Sequence, residues 1–328
     1  MAEGSNGIPV VVLGLGHIGQ LIARASLEKP ELRLVAAVDP AHAGKRLDQV
    51  LTSPAPGIPV TAEPGEAFAL ARGGVVLHAT SSSFEDVLPL VERAVRSGLS
   101  VVSTCEELAY PWLRFEERSD ALDDLCASKE VAVLGVGVNP GFALDRLPAF
   151  LSQVTGPVRH VRALRVQDAA KRRASLQRKV GAGMTEEAFH AAADRGDLGH
   201  VGLSESAMLC ALGCGFEIDE VEEELVPLVA EEDLAGLVQV RAGQVAGLHQ
   251  IARGFADGTE RVLLELVIAL GAEDPRDEVE LDAHPPVRFT VLGGLPGDDA
   301  TAWAVVNAAP AIATMRGLVT VLDLPAGR

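Results

Sequence analysis

Aromatic side chains are scarce: one Tyr, two Trp and nine Phe in 328 residues. Glycine is plentiful at 33, and alanine is frequent throughout. Small residues suit tight helix–strand packing and close approach of backbone to a ligand. Positive charge is also in short supply, with 28 Lys and Arg against 46 Asp and Glu, a net charge of -18. A nucleic-acid partner needs a basic footprint, so that class is excluded. An anionic membrane surface is excluded for the same reason. The acidic excess reads as solubility through self-repulsion. There are four cysteines, Cys105, Cys126, Cys210 and Cys214, with no C-x-x-C pair. Cys210 and Cys214 stand four apart on an expected helix, with nothing nearby to complete a zinc site, so no metal is expected. Reduced thiols and a cytoplasmic location are the simplest expectation. No apolar run is long enough to span a bilayer. The polar opening, MAEGSNGIP, leads into a strand rather than a signal peptide.

What is present is alternation. Apolar runs at Ile8–Gly14, Leu32–Asp39, Val75–Thr80, Ser100–Thr104 and Ala132–Val136 read as buried strands. Helical patterns sit at His17–Glu28, Phe84–Ser97 and Leu113–Ser128. Continuous apolar strands alternating with amphipathic helices predict a doubly wound parallel sheet, an α/β fold. After Gly141 the pattern changes. Val158–Gln167 alternates, with a basic solvent-side edge. Val221–Leu228, Leu237–Gln244, Glu260–Ile268 and Val287–Leu292 are further strand candidates, with an Ala-rich helical insertion at Thr185–Leu212. They predict a second, α+β domain with a mostly antiparallel, open sheet. Asp299–Ala313 reads as a helix returning to the first domain. The expected division is 1–141 with 299–328 for the dinucleotide-binding domain, and 142–298 for substrate binding and dimerisation. A tight junction predicts a ligand cleft there.

Gly14-Leu15-Gly16-His17-Ile18-Gly19 matches G-x-G-x-x-G between an expected strand and helix. In that context the motif predicts a dinucleotide site, with the pyrophosphate on the helix N-terminus. Asp39, twenty residues after Gly19, ends the second strand. Its carboxylate can accept both ribose hydroxyls, which favours NAD. Lys45 and Arg46 just beyond keep NADP open. Thr80, Ser81 and Ser82 follow the third strand at the cofactor edge, where hydroxyls fit both ribose contacts and helix capping.

Cys105-Glu106-Glu107-Leu108 leaves the next parallel strand at the same edge. Two adjacent carboxylates there fit two readings: groups facing cofactor and substrate, or acids favoured in a first helical turn. Asn139, at the domain junction, can bond the nicotinamide carboxamide, and Phe142 can line the pocket; a Pro-Gly hinge turn accounts for both equally. Arg178 and Met184 lie in a basic, Gly-rich loop suited to an anion or substrate. Arg172, Arg173 and Arg178 fit solvent, a carboxylate or a subunit interface. His200 fits the pocket or a core position.

Several longer strings carry a resemblance: SSSFEDV (81–87), STCEELAYPW (103–112), GVGVNPGF (135–142), LQRKVGAGMT (176–185), LGHVGLSES (198–206) and VVNAAP (305–310). Across nearly its whole length the chain resembles the 2,4-diaminopentanoate dehydrogenase family, which includes the native amine dehydrogenases and is related to dihydrodipicolinate reductase. The resemblance implies reversible, NAD- or NADP-linked exchange of an amine for a carbonyl, with ammonia as co-substrate. It also implies a homodimer and a catalytic carboxylate at the CEEL segment. Related sugar-type oxidoreductases carry C-E-K-P at that turn. Glu107 takes the lysine position and is the favoured acid–base group, with Glu106 as the alternative. The reductase's His-His pair and Lys-Ser-Gly-Thr-Ala string are absent, which argues against dihydrodipicolinate reduction. Two other readings stay open: a carbonyl–alcohol oxidoreductase, which lacks its Lys or His base here, and a non-enzymatic dinucleotide sensor.

Overall fold

The computed structural model describes residues 7–52, 54–170 and 173–327. In chain order the elements are β1 Ile8–Leu13, α1 His17–Glu28, β2 Leu32–Val38, α2 Leu47–Val50, β3 Val60–Thr61, α3 Pro64–Leu70, β4 Val75–His78, α4 Phe84–Arg96, β5 Ser100–Ser103, α5 Trp112–Lys129 and β6 Ala132–Gly135. There follow α6 Arg146–Ser152, β7 His160–Asp168, α7 Ala174–Lys179, α8 Glu186–Ala193, α9 Leu203–Gly213, β8 Glu220–Val229, β9 Val245–Ala256, β10 Thr259–Ala269, β11 Arg276–Asp282, β12 Val287–Leu292, α10 Gly297–Ile312 and β13 Gly317–Val319. The chain packs as two compact units, Met1–Phe142 with Pro296–Arg328, and Ala143–Leu295.

The first unit is a seven-stranded parallel sheet in the order β13-β6-β5-β4-β1-β2-β3. Its strands are buried on both faces, as the continuous apolar runs predict; Val10, Val11 and Val12 are fully buried. The helix α4 is polarised: Ser83 caps it, Glu85 and Asp86 sit in its first turn, and Arg93 and Arg96 in its last. That matches the sign of the helix dipole at each end. The C-terminal helix α10 packs in this unit, where Asn307 accepts a hydrogen bond from Lys29 (3.2 Å) beside α1. It is followed by β13, which pairs with β6.

The second unit holds a six-stranded sheet in the order β12-β11-β7-β10-β9-β8, antiparallel except between β7 and β10. Its helices pack on one face, over Val161, Ala163, Leu264, Leu266, Ile268 and Leu248. Three sequence expectations change here. Leu237–Gln244 forms no strand. Gly236 precedes it and Gly243 lies within it, Arg241 turns back on Gln244, and a bridge from Leu234 to Val240 remains. The strand lies one step later, at β9. The helical insertion is broken between Ala193 and Leu203, where Gly196, Gly199 and Gly202 all take positive φ. The basic edge of β7 does not face solvent throughout. Arg165 is 2% exposed, 3.6 Å from the buried Asp277, and donates to the Leu295 carbonyl (2.6 Å). A guanidinium tolerates such burial when its charge is matched and its donors are used.

Candidate dinucleotide site and the acidic turn

In the first unit, β1 lies between β4 and β2, so the strand order reverses between β1 and β4. The carboxyl end of such a switch point is where open α/β sheets bind ligands. Gly14 turns the chain there with φ +94°, and a Cβ on it would lie 2.4 Å from the Ala79 carbonyl oxygen. A Cβ on Gly19 would lie 1.9 Å from the Gly14 oxygen, so neither position admits a side chain. Around Gly16, by contrast, nothing lies within 4 Å of the corresponding point. This glycine caps α1 without any side-chain bond, so no capping side chain occupies the first-turn N–H groups. Such a cradle fits a pyrophosphate.

His17, exposed, pairs with Asp298 at 3.1 Å, and Ile18 is half-buried. Asp39 is held by the loop it faces. Its carboxylate accepts from the Leu15 amide (2.7 Å) and from Ala41 (2.9 Å). It stays partly exposed, with lone pairs left for a ribose. Lys45 is exposed, and Arg46 is bonded to Asp48 (3.2 Å). The residues present therefore fit a nicotinamide dinucleotide.

The Thr80–Ser83 turn and the CEEL turn are joined to each other. The Ser82 carbonyl accepts from the Cys105 thiol (3.1 Å) and from the Glu107 amide (3.4 Å). Ser81 bonds Asp86 (3.0 Å) and accepts from the Ser83 amide. Burial pushes the Cys105 thiol up to about 12, so it is inert as a nucleophile. Glu107 accepts from the Phe84 amide at 2.6 Å, the first amide of α4. Its acidic charge thus serves the N-terminus of a neighbouring helix. Glu106 is half-buried, and its carboxylate has no hydrogen-bond or ionic partner among the described residues.

Asn139 is 6% exposed, and neither its amide oxygen nor its amide nitrogen has a partner among the described residues. A buried, unpaired carboxamide is costly unless something else completes it, and a nicotinamide carboxamide has the matching donor and acceptor. The backbone beside it is fixed, since Val138 donates to the Thr301 hydroxyl of α10 (3.1 Å). Phe142 is 40% exposed.

Arg178, Met184 and His200 belong to the second unit. Arg178 is exposed in the last turn of α7. Met184 is half-buried against the cluster of Val180, Phe189 and Leu248. His200 is held by Gln250, whose side chain accepts from its amide (2.7 Å) and donates to its carbonyl (2.8 Å). That bracing fixes the backbone of a half-buried residue. Arg173 is exposed, and Arg172 lies outside the described residues. Among the described residues no group of three or more His, Cys, Asp or Glu could hold a metal, and no helix is long and apolar enough to cross a membrane.

Sequence reasoning missed one residue at this edge, His78, the last residue of β4. It is 1% exposed and bonded through both ring nitrogens, to Ser103 and Thr80. A polar residue closing the apolar run Val-Val-Leu was the available signal.

A parallel sheet with an open glycine turn at its switch point defines a Rossmann-type oxidoreductase that uses a nicotinamide dinucleotide. Residues 142–328 match the 2,4-diaminopentanoate dehydrogenase C-terminal domain, and the chain belongs to that family. It is 27% identical to the 2,4-diaminopentanoate dehydrogenase of Acetoanaerobium sticklandii, an alignment covering 98% of this chain and 94% of that protein. Its fold superposes on an amine dehydrogenase from Mycobacterium smegmatis with a TM-score of 0.84 at 21% identity, covering 98% and 97% of the two chains. A dipicolinate-bound dihydrodipicolinate reductase from Paenisporosarcina sp. TG-14 matches with a TM-score of 0.56 at 14% identity, over 97% of this chain and 100% of that one.

Proposed function

We propose that this dehydrogenase is an amine dehydrogenase, oxidising an amine reversibly to a ketone or aldehyde and ammonia with NAD or NADP. The observation that carries this reading is the paired carboxylates of Glu106 and Glu107 at the cofactor edge, one of them without a partner among the described residues. The chemistry a bound nicotinamide supplies is hydride transfer. The chain's residues must then manage charge and protons. Positive charge develops on the substrate nitrogen as hydride leaves its carbon, and a fixed anion stabilises it. A carboxylate can also take the proton of the incoming ammonium, or of the water that attacks the imine. A lysine at this turn would oppose the same step.

The motif alignment favours Glu107 for the proton transfer; the bond to Phe84 favours Glu106. We assign the transfer to Glu106, with Glu107 anchoring the turn on α4. Gly14, Gly16, His17, Ile18 and Gly19 hold the pyrophosphate side, Asp39 the ribose, and Thr80, Ser81, Ser82, Cys105 and Asn139 the remaining cofactor wall. A panel of short aliphatic, cyclic and diamino substrates, each assayed with NAD and NADP, tests the function. Cofactor reduction by at least one amine is expected. Dinucleotide binding without turnover of any amine, or turnover of alcohols instead, overturns the proposal. A second reading, 2,4-diaminopentanoate as the substrate itself, is favoured by the 27% identity to the enzyme of that name, and the same panel decides it.

We also propose a cytoplasmic homodimer. The four cysteines are free and buried. The sheet face opposite the helices of the second unit carries Leu164, Val166 and Ile251 beneath a mixed network. In it Arg162 pairs with Glu265 (2.6 Å), His249 with Glu265 (3.2 Å), and Arg276 and Arg288 with Glu278 (3.4 and 3.0 Å). A face bearing both signs is complementary to its own copy under two-fold symmetry. Light scattering is expected to give twice the 34.3 kDa chain mass; a monomer at micromolar concentration would contradict this.

A further inference from the structure

The imidazole of His78 is part of a chain of hydrogen bonds that ends at the cofactor edge. The β4–β5 register sets His78 opposite Ser103. Its Nδ1 lies 2.8 Å from the Ser103 hydroxyl, and its Nε2 lies 2.7 Å from the Thr80 hydroxyl. Burial pushes the ring down to about 4, so it is neutral at ordinary pH and carries one proton. Which nitrogen holds that proton follows from Ser103, which is 0% exposed.

The Ser103 oxygen already accepts from the Cys105 amide at 3.0 Å. If Nδ1 were protonated, Ser103 would accept twice, and its own O–H would be buried with no acceptor among the described residues. An orphaned buried donor is disfavoured. With the proton on Nε2, everything is satisfied: Ser103 donates to Nδ1, and Nε2–H donates to the Thr80 oxygen. The Thr80 O–H is thereby released from the fold. Thr80 is exposed, and its methyl group lies 3.0 Å from the point a Cβ on Gly14 would occupy, so it borders the glycine turn.

We infer that His78 is a positioning residue for the dinucleotide, holding the Thr80 hydroxyl as a hydrogen-bond donor to a pyrophosphate or ribose oxygen. The relay fixes the rotor that an isolated threonine would leave undecided. It also fills one of the hydroxyl's two lone pairs and leaves its proton free to donate, which suits an oxygen-rich ligand. This inference rests on the dinucleotide site and is independent of the amine chemistry.

The test is direct titration of the protein with NADH and NADPH by fluorescence, with no amine present. Thr80→Val and His78→Leu are each expected to weaken binding about tenfold, with the double variant no weaker than the poorer single one. Thr80→Ser keeps wild-type affinity, and His78→Gln recovers most of it through its own amide N–H. Side-chain 15N spectra of the wild type are expected to give the Nε2–H tautomer. The inference is overturned by a folded His78→Leu variant with wild-type affinity, by additive losses in the double variant, or by an Nδ1–H tautomer. Should His78→Leu fail to fold, wild-type affinity in Thr80→Val overturns it equally. Loss of amine turnover with these affinities as expected speaks only against the amine reading.

Discussion

Glu106→Gln is expected to lower kcat for amine oxidation by about a thousandfold, while the Kd for the dinucleotide stays within about twofold. The magnitude follows from electrostatics. A carboxylate about 4 Å from a developing positive charge, at an effective dielectric near 20, is worth roughly 4 kcal/mol. That is about three powers of ten in rate. Glutamine keeps the shape and removes both the charge and the base. Glu107→Gln should act differently, because its oxygen accepts from the Phe84 amide at 2.6 Å. The amide oxygen of glutamine preserves that bond, so the loss in kcat should be smaller. Glu107→Ala removes it and should destabilise the protein by about 1 kcal/mol, the usual worth of a helix cap. Steady-state kinetics with the two glutamine variants decide the assignment. Near-wild-type kcat in both glutamine variants would remove the carboxylate mechanism; a larger loss in Glu107→Gln would return the proton transfer to Glu107.

Where the sequence was readable, the reason is local. The parallel strands are buried on both faces, so β1, β4 and β5 appear as unbroken apolar runs. The glycine motif is equally local: six consecutive residues make the turn and the helix start. The second sheet was harder. Gly247 and Gly254 interrupt β9, and at Gly247 the neighbouring strand leaves no room for a side chain, since a Cβ would meet the Ile268 oxygen at 2.1 Å. The acid-rich β11 offers no apolar run because Glu278 and Glu280 are charged. Both belong to a face where arginines neutralise them, and Asp277 on the other face is paired with Arg165. Cross-strand partners supply that compensation, and no window along one strand contains it. The site divides the same way. Gly14 and the two glutamates were visible, whereas the role of His78 depends on its register with Ser103, 25 residues away. The commitment of Glu107 to Phe84, 23 residues back, was hidden for the same reason.

His78 also sets an acid limit on stability, and this is the second large effect expected. The ring is neutral in the folded chain until pH falls to about 4. In the unfolded chain a histidine takes its proton near pH 6.5. Below that value the unfolded state binds one more proton than the native state, so stability falls as pH falls. The contribution is intact above about pH 6.5. It is lost by roughly 2 kcal/mol at pH 5, and the loss levels off at roughly 3 kcal/mol below pH 4. Carboxylates held low by partners act in a lower window. The His249 hydrogen bond leads this effect at Glu265, and the Arg159 hydrogen bond does so at Asp282. Their stabilisation is present above the unfolded carboxylate pKa and goes only as pH drops through the depressed values. Comparing pH 7.5 with pH 5 therefore avoids these lowered carboxylates, and comparing wild type with His78→Gln isolates this histidine. Urea titrations should give a wild-type stability that falls by about 2 kcal/mol more than that of His78→Gln over the interval. Parallel losses in the two proteins would mean that the ring takes up its proton inside the native fold, and the neutral relay to Thr80 would then fail with it.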